Sequence, residues 1–287
     1  METYLLYLAI TTLIYLILGV SLNLIMGYTG MFSVAHAAFM ALGAYTTGIL
    51  TVFYGWNFFL TVPVAVMVAA GVGAAVAYLS LRLRGNYYVI ASFAFQVIMV
   101  TVLLNWTGLT RGPLGLPGIP KPTLGGVAFD SYATFLIPTA VITAACCVAA
   151  WRIAASPYGR VLRAIREDEA AVQSLGKSVS YYKVTVFVAG SAMAAVAGSL
   201  LAAHLSYISP RAFGLEESMF ILSIVVIGGL GNFWGPWLGG PVMLLIPEAL
   251  RFFDLPAEVG ANIRQMLFGA LLVLFVLFRP GGLVPEK

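Results

Sequence analysis

Residues 156–183 read SPYGRVLRAIREDEAAVQSLGKSVSYYK and are the one long charged stretch of the chain. Ser156 and Pro157 predict a helix start, because a serine side chain accepts a hydrogen bond from the first turn and proline lacks only an N–H that has no partner there. Three apolar residues then recur at helical spacing and predict one apolar face: Val161, Ile165 and Val172. Because its charges exclude this helix from lipid, we expect it to lie in water or along a surface.

The rest of the chain is apolar enough to lie in lipid. Of its 287 residues, 61% are hydrophobic and only 9% are charged, and the mean hydropathy is +0.98. Soluble domains carry about a quarter charged residues, and the apolar runs are too long for barrel strands. We therefore expect an all-α integral membrane protein, a single polytopic domain (residues 1–287) of about eight to ten transmembrane segments with broken helices.

Nine hydrophobic segments are predicted: Tyr4–Met26, Ser33–Phe53, Leu60–Leu81, Tyr88–Leu104, Ala133–Ile153, Val184–Ala203, Met219–Leu230, Trp237–Leu250 and Gln265–Phe278. The seventh and eighth are short and are separated by glycines and a proline. They are either two half-helices or one broken helix plus a span. The first run lacks a basic flank and a small-residue cleavage site, which predicts a span rather than a signal segment.

The basic residues predict an orientation. If residues 156–183 are cytoplasmic and the nine segments alternate, ten of the fifteen lysines and arginines lie inside and five outside, in agreement with the positive-inside rule. The N-terminus is then outside and the C-terminus inside. The long outer loop, residues 105–132, contains TRGPLGLPGIPKP and is expected to be ordered and rich in turns.

A helix break is predicted in SLNLIMGYTGMFSVAHAAFMALGAYTTG, residues 21–48. Two glycines flank the point where the helical pattern can stop, and Ser33 can cap a new helix. A helix interrupted at membrane depth lines a cavity or is buried in protein, and its free backbone groups suit a zwitterion. The alternative is close helix packing through small residues. The predicted substrate pathway comprises Asn23, Gly27, Gly30, Ser33, His36 and Phe39.

Two histidines, His36 and His204, lie within or at the end of apolar segments. An intramembrane histidine can relay protons. Neither has an acidic partner nearby in sequence, so we favour structural, hydrogen-bonded histidines. Cys146 and Cys147 adjoin each other in an apolar run, which indicates neither a disulfide framework nor a metal site.

A tight reversal is predicted in VVIGGLGNFWGPWLGGP, residues 225–241. It is either purely structural or a gate hinge, and its candidate residues are Gly228, Gly229, Gly231, Trp234 and Pro236. Residues 171–178, AVQSLGKS, end like a phosphate-binding loop, but Ala171 stands where the first glycine is needed and no strand precedes it. No nucleotide, metal or other cofactor site is therefore predicted.

Four motifs, in this order, resemble the membrane subunits of branched-chain amino-acid ABC importers: LNLIMGYTGMFSVAHAAFMALGAY (22–45), RLRGNYYVIASFAF (82–95), residues 156–183 and VIGGLGNFWGPWLGGPV (226–242). RLRGNYYVIASFAF and the outer-loop sequence GLPGIP make the LivM-like permease type the better match, from about Ser21 to Pro285. The resemblance implies an importer permease fold of the type II kind in a bacterial inner (plasma) membrane. The implied solute is a branched-chain or other hydrophobic amino acid, although relatives carry urea and short amides. The implied partners are a LivH-like second permease subunit, two ATP-binding subunits and a periplasmic substrate-binding protein.

In that family the central cytoplasmic loop docks on the ATPase subunit. Glu169-Ala170-Ala171 followed by Gly176 is similar to the EAA signature of importer permeases. The gap to the glycine is one residue longer and the hydrophobic-proline ending is missing, so the resemblance implies the role but not the docking geometry. We expect the apolar face to enter a groove of the ATPase, with Arg163, Arg166 and Glu169 as a polar rim. The implied coupling residues are Arg160, Arg163, Ile165, Arg166, Glu167, Glu169, Ala170, Ala171 and Gly176.

An ion-coupled secondary transporter is the alternative function. It requires ionisable residues deep in the spans, whereas Glu216, Glu217 and Glu248 lie near predicted segment ends. A membrane-embedded enzyme is disfavoured, because no cluster of catalytic residue types converges. The chain is therefore expected to be a permease, with ATP hydrolysis in a partner subunit.

Overall fold

The structure, a computed structural model, describes residues 2–80, 86–251, 257–279 and 281–284. Arg82, Arg84 and Lys287, three of the predicted inner basic residues, lie outside these ranges. The helices are α1 (Glu2–Thr29), α2 (His36–Tyr54), α3 (Phe58–Ser80), α4 (Asn86–Asn105), α5 (Thr107–Thr110), α6 (Tyr132–Ala155), α7 (Pro157–Glu167), α8 (Glu169–Ser174), α9 (Val179–Leu205), α10 (Leu215–Gly228), α11 (Gly235–Arg251) and α12 (Ala257–Phe278). The short strands are β1 (Leu116–Pro117), β2 (Thr123–Leu124), β3 (Val127–Ala128) and β4 (Tyr207–Ile208).

Each of the nine predicted segments corresponds to one long helix. Within the described ranges, six helices are long and apolar enough to cross a membrane: α1, α2, α3, α4, α6 and α9. The bundle is therefore a multi-pass membrane fold, as expected from composition. The side that carries α7 and α8 is called the inner side below, and the opposite side the outer side.

Glycine lets α2 and α9 pack in direct backbone contact at the centre of the bundle. A Cβ atom at Gly43 would overlap the carbonyl oxygen of Ala195, and one at Gly198 would overlap the carbonyl oxygen of Met40. Close approach of this kind holds helices together in lipid, where water provides no hydrophobic driving force between them. The packing alternative for residues 21–48 is therefore confirmed along α2.

The helix α2 begins inside the membrane and not at its surface. Residues 30–35 turn back from the inner end of α1, and His36 Nε2 at the start of α2 lies 2.7 Å from Ser21 Oγ of α1. Ser21 precedes the last residue of α1 by eight positions, or about 12 Å of helix. The predicted break is thus confirmed, but Ser33 does not cap the new helix. The N-cap residue is Ala35, whose N–H donates to Ser33 Oγ at 3.4 Å.

The helix α10 is a half-helix that also begins inside the membrane. Glu217 in its first turn accepts a 2.6 Å hydrogen bond from the hydroxyl of Tyr15. Tyr15 lies halfway along α1, about 20 Å from either end. The fourteen residues of α10 make it about 21 Å long, and it runs beside α1, where Gly19 packs against Ile224. The seventh segment is therefore a half-helix, and the inference that Glu217 is not deep in the membrane is wrong.

Residues 281–284, which follow α12, complete the inner end of α10. The N–H of Leu283 donates to the Ile227 carbonyl at 2.8 Å, and the N–H of Val284 donates to the Gly228 carbonyl at 3.0 Å. The last carbonyls of a helix have no partner within the helix itself. A segment distant in sequence supplies their partners here.

The outer loop is ordered and rich in turns, as predicted. After α5 it forms a short 3₁₀ turn, Gly112–Leu114, and β1 then pairs antiparallel with β4, which follows α9. A hairpin of β2 and β3 completes it. The loop thereby ties the outer end of α9 to the segment between α4 and α6.

The charged stretch forms two short helices. As predicted, Ser156 caps α7 by accepting from the Gly159 N–H, and Pro157 occupies its first position. Asp168 then interrupts the helix, and its carboxylate accepts from the Ala170 N–H at 2.8 Å to cap α8. Since α9 begins at Val179, the expected boundary of the loop at Lys183 is corrected.

Candidate substrate pathway and coupling surface

Buried polar side chains from four helices meet at the start of α2, and we call this set the mid-membrane junction: Ser21, His36, Ser92, Gln96 and Ser218. Gln96 of α4 is its centre. Its Oε1 accepts from the Ala38 N–H at 2.8 Å and from the Ser218 hydroxyl at 3.2 Å. Its Nε2 donates to the Phe213 carbonyl at 2.6 Å. One amide therefore links α2, α10 and the turn that precedes α10.

Two serines of the junction accept hydrogen bonds from further N–H groups near the start of α2. Ser92 Oγ accepts from the Val34 N–H and Ser218 Oγ from the Ala37 N–H, each at 3.1 Å. An unpaired N–H in the hydrocarbon region costs several kcal/mol, so these side chains replace the water that caps helices elsewhere. The expectation that these N–H groups are free for a zwitterion is therefore wrong for Ala37 and Ala38.

The spacing of polar residues along α4 is a sequence signal for this junction. Tyr88, Ser92 and Gln96 follow one another at intervals of four and so share a face of α4. A polar face on an otherwise apolar span is unusual, because lipid does not pair with it. The spacing predicts that this face packs on protein, although not on which helices.

The two histidines differ in their environment. His36 is hydrogen-bonded to Ser21, so the structural interpretation is confirmed for it. His204, at the outer end of α9, stacks on the Tyr7 ring at 4.9 Å and the Phe135 ring at 5.8 Å between centroids. Its Nε2 has no hydrogen-bond partner among the described residues. His204 is therefore held by aromatic stacking and not by a hydrogen bond from Nε2 to a described residue.

Phe39 is corrected from pathway residue to core residue. Its side chain is 1% exposed. The ring stacks on Phe95 at 5.3 Å and meets Phe187 edge to face at 5.4 Å. Such aromatic pairs are a packing arrangement.

Asn23 and Gly27 hold the reversal between α10 and α11. Asn23 Oδ1 accepts from the Gly231 N–H at 3.0 Å, and Asn23 Nδ2 donates to the Asn232 carbonyl at 2.8 Å. A Cβ atom at Gly27 would overlap both the Asn23 side chain and the Gly231 backbone. Both positions are closely packed, and their assignment to the substrate pathway stays a prediction.

Gly30 ends α1 at its inner end. Its N–H donates to the Met26 carbonyl at 3.0 Å, and its φ of +72° is in the left-handed region that favours glycine. A Cβ atom there would meet the Arg166 side chain of α7. Gly30 is therefore next to the coupling segment and away from the mid-membrane junction.

The predicted tight reversal is present between α10 and α11. Gly229 and Gly231 have φ values of +123° and +78°, and Gly228 leaves no room for a Cβ beside the Gly235 carbonyl. Pro236 lies in the first turn of α11, where a missing N–H costs nothing. The backbone therefore reverses within a few residues of the inner end of α1.

Trp234 completes the set of reversal residues. Its indole is exposed and lies 5.5 Å from the Phe233 ring and 5.9 Å from the Trp237 ring between centroids. Aromatic side chains of this kind favour the headgroup level of a membrane. Their position agrees with a reversal at the inner surface.

Seven of the predicted coupling residues lie exposed on the inner side: Arg160, Arg163, Arg166, Glu167, Ala170, Ala171 and Gly176. Sequence reasoning missed Leu175, whose side chain is 78% exposed between α8 and the turn. Gly176 follows it with a φ of +75° and no atom near the position of a Cβ. Leu175 is therefore an exposed apolar side chain within the charged segment.

The apolar face of the charged stretch is buried against this chain and not available to a partner. Ile165 is 2% exposed and Val172 4% exposed, and both cluster with Val179 at the start of α9. Ile165 is therefore corrected from coupling contact to core. Helical periodicity shows that a face is covered but not which molecule covers it.

Arg163 and Arg166 are directed toward α1. Arg166 Nη1 donates to the Gly27 carbonyl at 2.7 Å. The guanidinium carbon of Arg163 lies 5.2 Å from the centroid of the Tyr28 ring, which is cation–π distance. Both residues are also exposed, so their predicted role as the rim of a docking surface stays a prediction. The third rim residue, Glu169, forms an ion pair with Lys183 that joins α8 to α9.

A helical bundle with half-helices that begin at mid-depth has the architecture of a membrane transport protein. A family model, described as branched-chain amino acid transport system, permease component, matches residues 4–276. The chain belongs to this permease family. It is a permease component and not an enzyme.

Relatives cover nearly the whole chain. The high-affinity branched-chain amino acid transport system permease protein LivM of Salmonella typhimurium is 35% identical over 96% of this chain and 69% of its own length. A probable LivM of Methanocaldococcus jannaschii is 26% identical over 96% of this chain and 91% of its own. The corresponding permease LivH of Escherichia coli K12 is 26% identical over 94% and 91%. No solved structure matches the chain.

Proposed function

We propose that the chain is a transmembrane subunit of an ATP-binding cassette importer that carries branched-chain or other hydrophobic amino acids across a bacterial inner membrane. Its partners are a second, LivH-like permease subunit, two ATP-binding subunits and a periplasmic binding protein that delivers the solute. The relatives named above support this assignment, because their names describe permeases of branched-chain amino acid transport.

The observation that best supports the proposal is the exposed tip of α8, by which we mean residues 170–176. Leu175 is exposed on the inner side, beside the small residues Ala170, Ala171 and Gly176. Burying a leucine side chain is worth about 1.5–3 kcal/mol, so a partner that covers this tip gains affinity from it. The small neighbours let such a partner approach the backbone. An ATP-binding subunit is the partner that an importer permease requires on this side.

The solute pathway that we propose passes the start of α10. Glu217 lies at the depth of Tyr15, in the middle of the membrane, where an isolated carboxylate is costly. A carboxylate at this depth suits the ammonium group of an amino acid. Ser33 and His36, the latter within the mid-membrane junction, remain candidate pathway residues.

The same carboxylate favours the ion-coupled alternative, since it could bind a proton or another cation in place of the ammonium group. The two functions differ in their energy source. An importer of the ATP-binding cassette type requires ATP and the binding protein, whereas an ion-coupled transporter requires a gradient and neither of them.

Uptake by the reconstituted complex tests the function. The chain, its permease partner, the two ATP-binding subunits and the binding protein are placed in proteoliposomes and offered labelled leucine, isoleucine, valine, phenylalanine, urea and acetamide. We expect uptake of the amino acids that requires ATP inside and binding protein outside. Uptake of urea or acetamide in their place would refute the substrate class. Gradient-driven uptake without ATP would refute the mechanism.

The Leu175→Asp substitution tests the coupling surface. A charge at this tip opposes burial, so we expect at least a tenfold loss of co-purifying ATP-binding subunit, or about 1.4 kcal/mol. Leu114 on the outer loop is the matched control, because it is an equally exposed leucine on the opposite side. Leu114→Asp should leave co-purification unchanged. Equal co-purification of both variants would exclude the tip as a docking surface.

A further inference from the structure

We propose that Arg166 transmits the movement of α7 to the α10–α11 reversal by holding the inner end of α1. Arg166 is then a positioning residue for transport and not a docking residue for the ATPase. The inference rests on the proposed function and adds a route from the coupling surface to the reversal.

The first link in the route is between α7 and α1. The Gly27 carbonyl lies in the last turn of α1, where carbonyls have no partner within the helix and carry the negative end of its dipole. Arg166 supplies a positively charged donor at 2.7 Å, and such charge-assisted bonds are roughly twice as strong as neutral ones. Two further contacts join α7 to the inner end of α1. Arg163 lies over the Tyr28 ring, and the apolar stem of Arg166 lies next to Gly30. The inner end of α1 therefore follows α7.

The second link is between α1 and the reversal. Asn23 and Gly27 are one helical turn apart, so they lie on one face of α1. Asn23 bonds both the Gly231 N–H and the Asn232 carbonyl, while Gly27 admits the Gly231 backbone. A shift of the last turn of α1 thus moves the residues that connect α10 to α11.

The third observation is that α7 is also attached to α9. Its apolar side chain Ile165 packs on Val179, and the Tyr158 hydroxyl is hydrogen-bonded to Thr185. The ion pair of Glu169 with Lys183 joins α8 to the same helix. The contacts of α7 to the inner end of α1 include the Arg166 hydrogen bond to the Gly27 carbonyl and the Arg163 contact with the Tyr28 ring. Arg166 is the residue whose removal leaves α7 in place while releasing α1.

The test is the ratio of leucine uptake to ATP hydrolysis in the reconstituted complex. For Arg166→Ala we expect co-purification of the ATP-binding subunits and binding-protein-stimulated ATP hydrolysis within twofold of wild type. Uptake per ATP hydrolysed should fall about tenfold. Arg166→Lys should recover part of the ratio, because its ammonium can still donate to one carbonyl but lacks the planar fork. Asn23→Ala, which breaks the second link, should lower the ratio to the same extent.

Arg152→Ala is the matched control. Arg152 is exposed in the last turn of α6, on the same side, and makes no hydrogen bond or ion pair with the described residues. It should keep the wild-type ratio. A wild-type ratio in Arg166→Ala would overturn the proposal, and so would loss of the ATP-binding subunits, which would identify a docking residue. If Arg166→Ala does not assemble, Arg166→Gln takes its place, and a wild-type ratio there is equally decisive.

A second readout separates this inference from the assignment of substrate. Trp234→Cys places a thiol at an exposed position of the reversal in a cysteine-free background. The rate at which a maleimide labels this thiol is measured with and without ATP. We expect ATP to change the labelling rate by more than threefold, and the change to vanish when Arg166→Ala is added. An ATP effect that survives Arg166→Ala would refute the route whatever solute is carried. Absence of ATP-dependent uptake in the unsubstituted complex would refute the proposed function instead.

Discussion

Two helices start at mid-depth in this bundle, and their starts are built differently. The start of α2 is enclosed, and the N–H groups of Ala37 and Ala38 are bonded to side chains of α10 and α4. The start of α10 has no side-chain cap, follows Gly214 and carries two carboxylates in its first turn. One start has neutral partners supplied by its neighbours, and the other carries charge into the membrane.

The difference indicates which of the two helices is fixed. Neutral hydrogen bonds within a membrane hold a helix in place, since no water competes for the donors. A carboxylate in the same region is costly, and such groups occur where an ion or solute passes. We therefore infer that α2 is the fixed wall and α10 the element that meets the solute.

Gln96→Leu tests whether the mid-membrane junction fixes α2, and it should have the largest effect of the variants compared here. It removes one of two acceptors of the Ala38 N–H, which keeps the Ala35 carbonyl at 3.1 Å, and it removes the donor to the Phe213 carbonyl. A buried group left unsatisfied costs about 1–3 kcal/mol. We expect the midpoint of thermal unfolding to fall by about 5 °C and uptake by more than tenfold. Thr101→Leu, on an exposed face of the same helix, is the control. An unchanged midpoint in Gln96→Leu would show that the junction does not fix α2.

Glu217→Gln tests the α10 side and should have an intermediate effect. The amide still accepts from the Tyr15 hydroxyl but removes the charge, so we expect unchanged or slightly higher thermal stability. Leucine uptake should fall about three- to tenfold, an energy of about 0.7–1.4 kcal/mol. Glu216→Gln removes the same charge from the preceding residue and should have less effect. Full uptake in Glu217→Gln, with normal assembly, would mean that its charge does not serve transport.

Ser33→Ala should have the smallest effect. The Ser33 hydroxyl makes one long contact to the Ala35 N–H and does not cap α2, so the loss should be below about 0.5 kcal/mol. Ser156→Ala is the matched comparison, because Ser156 does cap a helix and its removal should cost about 1 kcal/mol. Thermal unfolding of the two variants gives the comparison. Equal losses would mean that Ser33 contributes to the start of α2 after all.

Local chemistry made part of the fold predictable. Ser156 and Pro157 act on the first turn of α7 within three residues, so the start of that helix could be predicted from neighbours in sequence. The nine apolar segments were predictable because lipid selects them by length and composition. The break after Gly30 was predictable because glycine accommodates a left-handed residue at a helix end.

Long-range pairing was not predictable in the same way. Gln96 is 58 residues from Ala38, and Ser218 is 181 residues from Ala37. The spacing of polar residues along α4 indicates that a partner exists, but only the folded bundle identifies it. The same holds for Arg166, whose charge indicated a polar surface and whose partner is a carbonyl of α1.

The backbone bonds of Leu283 and Val284 to the end of α10 also impose an order on biosynthesis. A ribosome delivers α10 to the membrane before α11, α12 and these two residues have been made. Until residue 284 has left the ribosome, the Ile227 and Gly228 carbonyls lack the donors that complete this helix end. A nascent chain that stops between α12 and Leu283 therefore contains α1 to α12 and still has an unfinished α10.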